Sequence, residues 1–242
     1  MSSHSGDELI EMLLAGEDFP GEEGRAANDL LLEVLRGYPA QNLGRLIHSD
    51  NIEAVKSGAF VVSELGARAA QVLDEVDFLL SHPVRNARYD ALDAALVGAS
   101  PEHGAILAKA IMLVNDPDYA VRKKSIKFLT NSTRDQLAAA IPSLAHHHVA
   151  ELVAWLAAVG NDAVHLPDIL SRLHDTDKTT RMFAAAAAAR VAATDRRGIE
   201  QVAESSDPEI RSFAENVISM LNLDREIRVR REQERTDRDR PR

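Results

Sequence analysis

The sequence has no cysteine. Thiol catalysis, disulfide frameworks and zinc or iron–sulfur sites built on cysteine are therefore excluded. Aromatic residues are scarce, 4% of 242 residues, while alanine and leucine dominate. That balance disfavours a β-sandwich or barrel and suits packed helices. No apolar run approaches the roughly 18 residues of a membrane span. The opening Met-Ser-Ser-His-Ser-Gly lacks a basic-then-apolar signal, so a soluble cytoplasmic protein is expected, with residues 1–6 disordered. A glycine-rich phosphate loop and a Gly-x-Ser-x-Gly elbow are also missing. What is present is an apolar fraction of 45%, enough for a packed core.

Charge is spread unevenly. Residues 1–120 hold 8 Lys and Arg against 20 Asp and Glu, while residues 121–242 hold 20 against 18. The first half is an acidic body, with clusters at Glu17/Asp18/Glu22/Glu23 and Asp74/Glu75/Asp77. Such a field repels nucleic acid and attracts basic partners; a merely solubilising surface reads the same way. From Asp224 to Arg242 there are eight Arg and six acids, with almost nothing apolar after Val229. Residues 224–242 are expected to be a charged helical extension or a disordered tail.

A repeat runs through the body. Arg25, Lys56, Arg88, Arg122, Glu151, Arg181 and Arg211 follow one another at 31, 32, 34, 29, 30 and 30 residues. Three residues after each stands Asn28, Ala59, Ala91, Ser125, Ala154, Ala184 or Ala214. A small side chain at one fixed helical position lets a neighbouring helix approach, as a stacked array requires. Each unit resolves into two helices. The first helices are expected at 7–14, 40–47, 67–80, 101–114, 133–145, 163–173 and 195–203. The second are expected at 25–35, 54–65, 86–97, 120–129, 149–159, 180–193 and 209–221, with apolar residues at three- and four-residue steps. Asp and Pro between the members of a pair, as in Asn115-Asp116-Pro117 and Ser206-Asp207-Pro208, suit helix starts. The fold class is all-α, a single repeat domain over 7–223.

The runs Asp116-Pro117-Asp118-Tyr119-Ala120-Val121-Arg122 and Asp207-Pro208-Glu209-Ile210-Arg211, with degenerate versions from His82 to Arg88 and from Asp175 to Arg181, resemble the HEAT-repeat family in its short bacterial variety. The resemblance implies a right-handed α-solenoid of about seven helical hairpins. It also implies a ladder that joins adjacent repeats, with Asp116 and Arg122, Asp175 and Arg181, and Asp207 and Arg211 as its pairs. Lys56 and Glu151 depart from that pattern.

Features that could signal chemistry have plainer readings. Three consecutive histidines, His146-His147-His148, point about 100° apart on a helix and make no tridentate site; a metal there would need a carboxylate from elsewhere, such as Glu151, four residues after His147. His174-Asp175 is reminiscent of helical phosphohydrolases, yet it sits in an inter-helix turn where a capping Asp belongs. No His is followed by Glu, unlike the HEAT-like lysine hydroxylases. The basic, aromatic groove of HEAT-like DNA glycosylases has no counterpart in this acidic chain. Beyond the repeat nothing points to a bilin lyase. The lone Trp155 sits in an apolar helix and is expected in the core, and Ala184 to Ala189 should pack closely on every side. No catalytic residue, metal site or cofactor is expected.

A stacked array implies an extended, curved surface whose concave side is lined by its second helices, and a partner protein or peptide is expected along that concave face. The expected binding residues are Glu53, Lys56, Glu64, Arg85, Tyr89, Asp90, Asp93, Lys123, Lys124 and Lys127. Three functions fit: a scaffold or adaptor gripping a protein, an immunity or inhibitor protein capping a basic toxin, and a nucleic-acid-binding module, which the acidity opposes. The partner is expected to be a basic protein rather than a membrane or nucleic acid, and the chain alone to be a monomer.

Overall fold

The computed structural model describes residues 4–17, 24–145 and 147–238. Asp18, Glu22, Glu23 and His146 lie outside them. Among the described residues there is no strand, and fourteen α-helices follow in order: α1 (Gly6–Ala15), α2 (Arg25–Arg36), α3 (Gly44–Ile47), α4 (Ile52–Glu64), α5 (Leu73–Leu80), α6 (Arg85–Gly98), α7 (Gly104–Met112), α8 (Tyr119–Asn131), α9 (Arg134–Ala140), α10 (Val149–Val159), α11 (Leu166–Leu173), α12 (Lys178–Val191), α13 (Arg197–Ala203) and α14 (Pro208–Arg238). Odd-numbered helices are the first members of the expected pairs and even-numbered ones the second. The chain divides into two compact units, Met1–Ala158 and Val159–Arg242. The repeat spacing runs through that boundary, which is why the sequence shows a single domain there.

The second helices arise much as their pattern dictates. Small and branched residues fill one face: Ala54, Val55, Ala59, Val61 and Val62 in α4, Ala87, Ala91, Leu92, Ala94 and Ala95 in α6, and Val121, Ser125, Ile126, Phe128 and Leu129 in α8. Burying such side chains stabilises each helix by about 1.5–3 kcal/mol per large aliphatic residue. Apart from α1, which exceeds its expected range by a residue at each end, the first helices are shorter than expected, most of them because they break into mixed turns. Thus α7 is preceded by a 3₁₀ turn at Pro101–His103 and followed by another at Leu113–Asn115, while α9 gives way to one at Ile141–Leu144. Proline at a first turn and tight contact between helices favour this geometry. At Gly104 a Cβ would lie 2.3 Å from the Ala139 carbonyl oxygen, so only glycine fits.

In the second unit, Ala184 to Ala188 of α12 are fully buried together with Met182, Phe183 and Val191. The alanine run thus packs closely, as its side-chain size permits. Helix α14 buries Ile210, Phe213 and Ala214, then continues as an exposed helix; every residue from Asn222 to Gln233 is exposed. At the other end, Ser5 caps α1 through a reciprocal capping box with Glu8. Ser5 and Gly6 therefore belong to the helix start rather than to a free segment.

Each of six turns leading into a second helix is closed the same way: a side chain accepts the backbone N–H two residues on. Ser49 takes Asn51, His82 takes Val84, Asp116 takes Asp118, His147 takes Val149, Asp175 takes Asp177 and Ser205 takes Asp207, at 2.8–3.2 Å. This is the Asx- and Ser-turn logic. The turn places the helix register better than the anchors do. Six residues after the acceptor stand Arg88, Arg122, Arg181 and Arg211, but also Val55 and Val153. Lys56 and Glu151 are thus off register by one and two residues. The true positions hold buried valines, and Ala154, expected to be buried, is exposed.

The expected ladder pairs are corrected by the same geometry. Arg122 does not meet the Asp116 carboxylate; its Nη1 donates to the main-chain carbonyls of Asp116 and Pro117, at 2.7 and 2.8 Å. The Asp116 carboxylate instead receives Arg88 from the preceding turn, Nε to Oδ2 at 2.6 Å and Nη2 to Oδ1 at 2.9 Å. Likewise Arg181 donates to the carbonyls of Asp175 and Thr176 and reaches the Asp207 carboxylate at 3.8 Å. Arg211 donates to the Ser205 carbonyl. Each arginine staples its own turn through main-chain oxygens, and a rung to a carboxylate reaches one turn further along. Sequence spacing cannot separate the two, because both partners sit at the same repeat position.

Candidate protein-binding face

Helices α4, α6 and α8 pack side by side in the first unit, and their outward strips carry the ten residues expected to bind. Around α6 the structure gathers a subset. Lys124 of α8 is ion-paired with Asp93 of α6, and its Nζ lies 4.6 Å from the Tyr89 ring centroid. One ammonium thus serves a carboxylate and an aromatic face at once. Next to Tyr89 in the chain, and one turn before Asp93, stands Asp90, whose carboxylate makes no hydrogen bond among the described residues. Burial pushes its pKa up to about 6, against the pull of Lys124 and helped by the charges of Asp93 and Glu64. At neutral pH this carboxylate is ionised and held at a cost.

The other expected residues stand apart. Glu53 and Lys56 pair with each other at 2.7 Å near the start of α4. Arg85, at the start of α6, donates to its neighbour Asn86. Lys123 is half-buried and Lys127 exposed. The centre of the face is therefore Tyr89, Asp90, Asp93 and Lys124, with Glu64 beside it. Three carboxylates meet one ammonium there, so the local field is negative.

No family model and no curated protein matches the sequence. Among solved structures the chain is similar to an archaeal HEAT-like repeats protein from Thermococcus onnurineus NA1. The two are 16% identical, with a TM-score of 0.50, over 92% of this chain and 99% of that one. The fold is a HEAT-like helical repeat. A designed armadillo repeat protein is also similar, at 15% identity and a TM-score of 0.45, over 88% of this chain and 100% of that one. Likeness at such identity concerns architecture alone.

Within the HEAT-like fold, two groups escaped the sequence reading. One is a ring stack on the side of the first helices: His48 lies 4.4 Å from Phe78, which lies 5.5 Å from His82, and His48 Nε2 meets Glu75 Oε2 at 2.8 Å. The other is the use of histidines as acceptors for backbone N–H groups, at His82, His147 and also His103, whose Nδ1 takes Ser100 N–H at 3.1 Å. The available signal was positional: His82 and His147 occupy the slot held elsewhere by Ser49, Asp116, Asp175 and Ser205. His147 spends its Nδ1 on Val149 and stacks 4.5 Å from His148. Among the described residues no three metal-ligating side chains cluster, and no helix is long and apolar enough to cross a membrane. Trp155, expected in the core, is only half-buried. It falls one turn position away from the buried line of Leu152, Val153, Leu156 and Ala157.

Proposed function

We propose that the protein is a non-catalytic interaction scaffold, monomeric by itself, that holds a basic protein partner on the outward strips of α4, α6 and α8. The observation that carries this reading is Asp90. Its half-buried carboxylate makes no hydrogen bond among the described residues and stands beside Asp93 and the Tyr89–Lys124 contact, so it gains a partner from an arriving Lys or Arg. The excess of acids over bases in residues 1–120 favours the same partner charge and would speed its encounter. An inhibitor that caps a basic toxin is the special case in which the grip is very tight.

The test is affinity capture from native lysate on the immobilised full chain, washed at low and then high salt, beside an Asp90→Lys/Asp93→Lys variant. We expect a basic protein held by the parent, surviving in part at high salt, and lost by the variant. Nucleic acid in the low-salt fraction without a stoichiometric protein would overturn the reading, as would a partner that ignores the charge reversal.

A further inference from the structure

The turn into α6 shares with the turn into α10 an imidazole acceptor that the other four turns lack. Here it is His82 Nδ1, which takes the Val84 N–H at 3.1 Å. Val84, at the N-cap, offers no side-chain cap of its own. The turns into α4, α8 and α12 each have a second acceptor at that position, in Asn51, Asp118 and Asp177. The start of α6 therefore depends on one ring nitrogen.

A ring nitrogen accepts a hydrogen bond only while it carries no proton, which fixes His82 as the neutral Nε2–H tautomer. Protonation would set N–H against N–H. The same residue and its neighbour serve Arg88: Nη1 donates to the carbonyls of His82 at 2.8 Å and Pro83 at 3.0 Å. Those carbonyls point at Arg88 because the turn is closed. The groups facing the ring are His48 at the end of α3, Phe78 and Glu75 of α5, Arg88 of α6, and Asp116 of the α7–α8 turn, which Arg88 holds. The Asp116 carboxylate is held by Arg88, and Glu75 Oε2, 2.8 Å from His48 Nε2, makes no hydrogen bond among the described residues.

We infer that the α5–α6 junction is an acid-labile hinge: protonation of His82 breaks its bond to Val84, opens the turn and releases the His82 and Pro83 carbonyls from Arg88. The direction of titration agrees. Burial, then the Arg88 charge, then His48 hold the imidazole below the ordinary histidine range. The folded protein therefore binds this proton less readily than the unfolded chain, and the turn's contribution is present above the ordinary pKa of 6.5 and is lost as pH falls below it. The turns at Asp116, Asp175, Ser49 and Ser205 are closed by a carboxylate or hydroxyl oxygen instead of an imidazole nitrogen. The hinge belongs to the free protein and does not depend on what binds the face.

Hydrogen exchange on the full chain, from pH 7.5 to 5.0 and corrected for intrinsic pH dependence, tests this. The peptide covering 81–88 should lose protection below about pH 6.5, by up to about tenfold per pH unit, the limit for one proton. The peptide covering 115–122, closed by Asp116, should not respond. In His82→Asp the acceptor stays ionised and the response should vanish; if that variant fails to fold by circular dichroism, His82→Ser supplies the hydroxyl that Ser49 and Ser205 use. An equal pH response in both peptides, no response in either, or a response that persists in the folded variant would overturn the inference.

Discussion

Removal of Arg88 should damage the first unit far more than removal of Arg181 damages the second. The two residues hold the same repeat position but differ in environment. Arg88 and Asp116 are 13% and 2% exposed and joined by two bonds at 2.6 and 2.9 Å, with two more bonds from Nη1 to main-chain oxygens. In Arg88→Met a buried carboxylate keeps only the Asp118 N–H and loses its counter-charge. Breaking one side of such a pair costs about 3–5 kcal/mol. Arg181 and Asp207 are 24% and 14% exposed and 3.8 Å apart, and Lys178 also approaches Asp207, at 3.5 Å. That contact is worth about 0–1 kcal/mol, and Arg181→Met should cost little beyond its carbonyl bonds. Urea unfolding separates the cases. With a slope of about 2 kcal/mol per M, Arg88→Met should lower the midpoint by about 2 M. Fluorescence of Trp155, which lies in the first unit, reads that loss, and circular dichroism reads the helices of both units together. The Arg88→Met/Asp116→Leu double variant should cost less than the two single changes together, since no orphan charge remains. Equal shifts for Arg88→Met and Arg181→Met, or strict additivity in the cycle, would refute the reasoning.

Gly104→Ala should destabilise by about 1–3 kcal/mol despite the better helix propensity of alanine, because its Cβ would meet the Ala139 carbonyl oxygen at 2.3 Å; thermal unfolding checks this. Asp90→Asn should change the pH dependence of stability. With a folded pKa near 6 against the ordinary 3.8, the native state binds the extra proton, so the parent loses stability as pH rises from about 4 to about 6, and the variant should lack that slope. Lys124→Met should push the Asp90 pKa higher still, since Lys124 pulls it down; carboxyl chemical shifts read it directly. Truncation after Leu223 should leave the melting of the second unit nearly unchanged while removing helical signal, because residues 224–233 bury nothing.

The architecture was legible because burial repeats. Ala91, Ser125, Ala184 and Ala214, three residues after Arg88, Arg122, Arg181 and Arg211, are all buried, and each follows from a spacing visible in one dimension; Asn28, three after Arg25, is exposed. The breaks in the first helices were less so: Pro101, Gly104 and Pro142 mark them locally, but a 3₁₀ turn is chosen by contact with the next helix. The site was legible only in part. Asp90, Asp93 and Lys124 stand out in the sequence as charged positions on second helices, yet sequence spacing cannot say that Lys124 pairs with Asp93 over Tyr89 and that Asp90 makes no hydrogen bond among the described residues. That depends on the offset between α6 and α8.

The same offset explains why the ladder was misassigned and where it stops. A rung needs an arginine six residues after one turn acceptor and a carboxylate at or near the next. Arg88 and Asp116 meet both conditions. Val55 replaces the arginine before the His82 turn, and Val153 replaces it before the Asp175 turn. At the junction before the His82 turn apolar packing takes over: Val55 is buried and requires neither desolvation of a charge nor a partner of fixed geometry. His82 stands at one end of the complete rung, so the junction with the strongest ionic staple is also one whose turn is closed by an imidazole. Loss of the His82 bond therefore acts on the most costly contact of the first unit, directly before the helix that carries Tyr89, Asp90 and Asp93.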